Sequence, residues 1–228
     1  MFQLLEPMKK SFETKTISKK ITDAKRPVLP VADECNNRKP VDIGFMLDES
    51  KSVKAKDWKK AENFTKIVAK AASIQKDMGQ ASVTTFDKSS RLKIRFNEYQ
   101  DYDAFATAVD NLKQHRGGTN IINALNKGLE EMFQTKNGMR EKSEKIAVLM
   151  TDGKDKRKGI STYKEVGKKY QERKIKLLII GVGDVDRELL KELVRDEKDL
   201  FVAENFDQLL NTVVGHIAEN VQGACEGN

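Results

Sequence analysis

Five oxygen-bearing side chains fall in three short stretches whose composition invites chemistry. Asp48, Ser50 and Ser52 alternate within VDIGFMLDESKSV (residues 41–53), Thr119 sits in RGGTN (116–120), and Asp152 sits in MTDG (150–153). Carboxylate and hydroxyl oxygens are the donors that hard divalent cations prefer, and one carboxylate with two hydroxyls leaves room for water and an incoming ligand. A plainer reading competes at the first stretch, in which Ser50 or Ser52 caps a following helix and Asp48 only ends a strand. The D-E-S-K-S spacing alone leaves both open.

The elements that must position these residues can be read from the hydrophobic pattern. VDIGFML is a continuous apolar strand, and Trp58, Ala61, Phe64, Ile67, Val68 and Ala71 then lie on one face of a helix over 57–72. ASVTTF (81–86) and RLKIRF (91–96) are close enough for a hairpin, followed by a helix over 102–112. A helix over 121–133, a strand KIAVLMT (145–151), a helix over 162–173 and the apolar strand IKLLIIGV (175–182) come next. A helix over 187–194, a short strand over 200–203 and a last helix over 206–219 complete the series. Buried strands alternating with helices predict an α/β fold, doubly wound. The central sheet is mostly parallel with one antiparallel edge strand, and helices cover both faces. In such sheets ligands bind beyond the carboxyl ends of the strands, which is where all three stretches fall.

Composition removes several classes of function. The chain has 228 residues, 34% charged and 38% apolar, and no run approaches the roughly 18 apolar residues that span a bilayer. Its formal charge of +7 raises nucleic acid as a partner, but the lysines are scattered over predicted helix faces with few aromatics among them. Gly181 and Gly183 follow the strongest strand without the third Gly or the GKS/GKT of a phosphate loop. There is no nucleophile elbow, no HExxH and no Cys–His pair, so no catalytic machinery is visible. Residues 1–34 are basic and end in the Pro27 and Pro30 of RPVLPV, which reads as a tail or linker. The opening MFQLLEPMKK is interrupted by Glu6 and Pro7 and lacks the form of a secretory signal, so the chain is expected to be a piece of a longer protein. Asn63-Phe64-Thr65 matches a glycosylation sequon, and His115 and His216 are isolated.

DxSxS, then Thr119, then Asp152, in this element order, resembles the metal-ion-dependent adhesion site of the von Willebrand factor type A family. The resemblance covers about residues 41–221 within a domain expected over 35–225, with 226–228 as a short tail. It implies a Mg2+, with Mn2+ or Ca2+ as substitutes, held by Ser50 and Ser52 directly and by Thr119, Asp48 and Asp152 directly or through water. A Glu or Asp carboxylate of a partner would complete the shell. Lys51 stands where the family often has Gly, and Glu49 occupies a variable position with no expected role. The resemblance further implies a non-enzymatic, extracellular adhesion or matrix-assembly domain whose partner is collagen or another fibrous matrix protein. Cys35 and Cys225 bracket the domain, and in this fold, whose ends come close together, they can form a disulfide. Lys51, Arg116, Lys154, Lys156, Arg157 and Lys158 form an expected basic rim suited to acidic protein or a sulfated glycan. The Lys content suggests an invertebrate matrix protein of the byssal-thread or shell kind. Two alternatives are a scaffolding subunit of an intracellular complex and a metal-independent polyanion (glycosaminoglycan) binder.

Overall fold

The structure is a computed structural model, and it describes residues 39–153, 155, 159–210, 213, 215 and 217. Strand β1 (Val41–Asp48) is buried along its whole length, as expected for a central strand covered on both faces. It pairs in parallel with β2 (Gly79–Phe86) on one side and β4 (Glu144–Thr151) on the other. Beyond them lie β3 (Ser90–Ile94), β5 (Ile175–Val182) and β6 (Leu200–Ala203), in the order β3-β2-β1-β4-β5-β6. Only β3 runs antiparallel, which is the mixed sheet that the sequence pattern predicts.

Side chains alternate across β1 and so feed two cores. Ile43, Phe45 and Leu47 meet Trp58, Phe64 and Val68 of helix α1 (Ala55–Ala71), Phe105 and Val109 of α2 (Tyr102–Asp110), and Phe206 and Leu209 of α6. Helix α6 comprises residues 206–210, with helical backbone again at 213, 215 and 217. On the opposite face Met46 packs with Ile121 and Leu125 of α3 (Ile121–Lys127), Tyr163 and Tyr170 of α4 (Ile160–Glu172), and Leu189 and Leu190 of α5 (Arg187–Lys191).

Two elements differ from their sequence pattern. The expected single helix over 121–133 is α3 followed by a π-helical turn, Gly128–Met132, closed by Phe133 N–H donating to Gly128 O. Just before the ladder widens, Leu125 O accepts the Tyr170 hydroxyl at 2.9 Å, so a tertiary donor competes for a helix carbonyl. Met132 and Phe133 then sit over Gly44 of β1, where a Cβ would fall 2.3 Å from Met132 Sδ. The second hairpin strand stops at Ile94 instead of Phe96, because Arg95 N–H donates to Glu98 Oε2 and Phe96 N–H to Asn137 O. The β2–β3 register shifts between Val83 and Thr84, which leaves Lys93 outside the pairing.

At the amino end of the sheet, buried Asp42 accepts hydrogen bonds from Arg140 N–H (2.7 Å), Arg140 Nε (2.8 Å) and Ser143 Oγ (2.7 Å). This clamp closes the end of the sheet opposite the one at which Asp48 lies.

Candidate metal centre

Asp48 is the last residue of β1, and Thr151 is the last residue of the neighbouring parallel strand β4, so the register places the two side by side. Thr151 Oγ1 donates to Asp48 Oδ2 at 2.6 Å, and the Ser50 N–H folds back onto Asp48 Oδ1 at 2.9 Å. That turn swings Ser50 and Ser52 across the rim, with their hydroxyls 2.8 Å apart. Ser52 Oγ then donates to Asp152 Oδ1 at 2.8 Å, one residue past the end of β4. Thr119 closes the group: a Cβ built on Gly153 would fall 2.9 Å from Thr119 Oγ1, so the Gly there lets the Thr119 hydroxyl come down beside Asp152. All five residues chosen from the sequence are thus neighbours.

The capping alternative is excluded at the same point. The residue preceding α1 is Lys54, with no side-chain cap bond, so neither Ser50 nor Ser52 caps the helix. Thr119 is likewise not a cap, since Asn120 Oδ1 accepts from Asn123 N–H at the start of α3.

Burial governs the electrostatics of the two carboxylates. Burial pushes the Asp48 carboxyl up to about 6, against the hydrogen bonds from Thr151 and Ser50 that favour its anion. Burial also raises Asp152, partly countered by Ser52. No cationic side chain among the described residues offsets either desolvation. Two desolvated carboxylates with three hydroxyls make an all-oxygen donor set of the kind hard cations accept. No group of three His, Cys, Asp or Glu side chains among the described residues could hold a metal, so a cation bound here would depend on the hydroxyls.

Around the donors the backbone is stitched from loop to loop. Lys51 N–H donates to Gly117 O at 2.9 Å, and Arg116 N–H donates to Glu49 O at 3.0 Å. Gln114 Nε2 donates to Ser50 O (3.2 Å) and Val53 O (2.7 Å). Arg116 has φ 62°, a left-handed conformation costly for a side chain with a Cβ and held here by these bonds. The Lys51 and Arg116 side chains are exposed beside the donors. Lys154, Lys156, Arg157, Lys158, Cys35, Cys225 and His216 lie outside the described residues. Asn63 is exposed on α1.

Two residues passed over in the sequence belong to this framework. Glu49, expected to have no role, is fully buried and accepts hydrogen bonds from Thr85, Arg91 and His115. Asp155, the one acid in the expected basic rim, is also buried, and its Oδ2 accepts the Ile121 N–H at 3.1 Å. No local pattern signals either, because their partners are distant in sequence.

Comparison with known proteins agrees with this fold. The von Willebrand factor type A domain family matches residues 42–215. Collagen alpha-1(XII) chain of Notophthalmus viridescens is 31% identical over 209 residues, covering 91% of this chain and 22% of that protein. Matrilin-3 of Mus musculus is 26% identical over 180 residues, covering 77% of this chain and 36% of that protein. The chain therefore corresponds to a minor part of the length of either relative. Proximal thread matrix protein 1 from the mussel byssus, solved with a zinc occupied MIDAS motif, has a TM-score of 0.73 at 18% identity, over 80% of this chain and 48% of that one. That likeness concerns the fold, and does not bear on the byssal or shell origin suggested by the Lys content. From the family match over most of its length and the collagen relative that spans nearly all of it, the chain belongs to the von Willebrand factor type A domain family.

Proposed function

We propose that this chain is an extracellular adhesion or matrix-assembly module that binds an acidic side chain of a protein partner through a divalent cation, Mg2+ in the first instance. The observation that carries the reading is the convergence of Asp48, Ser50, Ser52, Thr119 and Asp152 at one rim, with two carboxylates desolvated and no cationic side chain compensating them among the described residues. Ser50 and Ser52 would hold the cation directly, and Thr119, Asp48 and Asp152 directly or through water. A cation held there would supply Lewis acidity toward a Glu or Asp carboxylate from outside, because three of the five oxygens offered to it are neutral hydroxyls. The protein's own part is to orient five oxygens and to leave the rim open above them.

The collagen and matrilin relatives favour a matrix partner, collagen or another fibrous protein. The type A domains of such proteins are not enzymes, and neither is this one. Lys51 and Arg116, with Lys154, Lys156, Arg157 and Lys158, would supply a positive surround for an acidic protein stretch or a sulfated glycan beside the bridging carboxylate. A Cys35–Cys225 disulfide and a glycan on Asn63 fit an oxidising, extracellular setting.

A pull-down from native extracellular matrix, run in Mg2+ and in EDTA, tests the metal and identifies the partner together. Retention in Mg2+ that is lost in EDTA and lost with Asp48→Ala or Thr119→Ala is the expected result. Unchanged Mg2+-dependent retention by a folded Asp48→Ala protein overturns the reading, and retention indifferent to chelator with steep salt dependence turns it into a polyanion binder.

A further inference from the structure

Glu49 directly follows Asp48 but lies outside the donor set, and its carboxylate is buried completely. Oε1 accepts from Thr85 Oγ1 at 3.0 Å and from Arg91 Nη1 at 2.7 Å. Oε2 accepts from the His115 backbone N–H at 3.1 Å and lies 3.0 Å from His115 Nδ1. The backbone of Glu49 works in the same direction, its N–H donating to Phe86 O at 2.8 Å and its C=O accepting from Arg116 at 3.0 Å. One residue thus ties β2, β3 and the approach to Thr119 onto the loop that carries Ser50 and Ser52.

The segment so held has little else to define it. Residues 112–120 have no regular secondary structure, Gly117 and Gly118 are conformationally permissive, and Arg116 is in the left-handed region. On the far side of Thr119 the chain is fixed again, by Asp155 Oδ2 at the Ile121 N–H. Thr119 therefore hangs between two buried carboxylates, neither of which is itself a donor in the site.

We propose that Glu49 is a positioning residue of the cation site: by joining His115 and Arg91 it sets the Thr119 loop against the Ser50–Ser52 loop before any cation arrives, with Asp155 as the second anchor. A preset loop spares the cation the cost of ordering its own ligand, which is how groups behind the direct ligands raise metal affinity. This inference rests on the cation-binding reading of the Asp48 site, so its test separates the two.

Hydrogen exchange over residues 112–121 in the metal-free full chain measures the loop, and calorimetric titration with Mg2+ or Mn2+ measures the site. With Glu49→Gln, the loop exchanges faster without metal and cation affinity falls by roughly ten- to a hundredfold. Asp155→Asn acts in the same direction. Asp48→Ala removes cation binding yet leaves the loop's exchange as in the parent. Arg140→Lys, at the opposite end of the sheet, is the control for general destabilisation and leaves cation affinity unchanged. Should Glu49→Gln fail to fold, Arg91→Gln combined with His115→Gln changes side chains that are 31% and 44% exposed and produces a smaller effect of the same sign. Parent-like loop exchange, or parent-like affinity, in a folded Glu49→Gln or in the Arg91/His115 pair overturns the inference. If the parent binds no cation, the functional reading fails, and parent-like exchange in the metal-free variants still overturns the loop claim on its own.

Discussion

Under the proposed reading, Asp48 serves binding at the expense of stability. Its carboxyl rises from the ordinary 3.8 to about 6, so between those values the folded state holds the proton that the unfolded chain has released. Stability from the neutral form is present below about pH 4 and is lost as pH climbs through about 6. At roughly 1.4 kcal/mol per pH unit this amounts to about 3 kcal/mol at neutrality without metal. Asp48→Asn is therefore expected to raise the metal-free melting midpoint at pH 7, to flatten its fall between pH 4 and 7, and to abolish the upward shift given by Mg2+. Calorimetric scans at several pH values check this, and a lower metal-free midpoint for the variant at pH 7 contradicts it. The convergence of the five rim residues was legible in the sequence because each sits in a loop with its own pattern, at the end of an apolar run or in a Gly-rich turn. Glu49 was not, since its partners Thr85, Arg91 and His115 lie 36, 42 and 66 positions away and only the folded sheet assembles them.

Among the elements, the strands that end at the site were the most readable, because full burial leaves an unbroken apolar run such as Val41–Leu47. The π-helical turn was invisible to pattern reading. Its cause is a hydroxyl from Tyr170, two elements away, and the apolar spacing of Ile121–Phe133 suits an ordinary helix equally well. The close approach of α4 to the connection after α5 was similarly hidden. Gly167 faces that connection so tightly that a Cβ would fall 2.6 Å from Leu193 O, a backbone atom with little freedom to move. Gly167→Ala is expected to lower stability by about 1–3 kcal/mol through overpacking, measured by urea unfolding. Mg2+ affinity of the folded fraction should stay at the parent value, because Gly167 lies about two turns into α4, away from the Asp152 loop. A stability loss below a few tenths of a kcal/mol would mean that α4 can shift freely along the sheet.

For the whole molecule, long-range charge and covalent closure are the quantities to vary. Lys156→Glu with Arg157→Glu is expected to slow association with the matrix partner several-fold at low salt and to flatten its salt dependence, whereas chelation mainly speeds dissociation. Stopped-flow or surface-based kinetics at two ionic strengths distinguish these effects, and equal association rates remove the basic rim from recognition. Alkylation followed by intact-mass measurement, with and without reductant, reports on Cys35 and Cys225. A bridge is expected to block both thiols until reduction, and to contribute about 4–5 kcal/mol in the chain-entropy model.

The two ends of the sheet carry a further consequence. Its outer strands are short, five residues in β3 and four in β6, and β3 is thrown out of step at Lys93. Edges that short are poor templates for a second copy, and β3 adds its bulge and the charges of Arg91 and Lys93. Long, exposed sheet edges at high concentration are templates for edge-to-edge aggregation. With edges this short, the folded domain is expected to stay separate from its own copies even at high concentration.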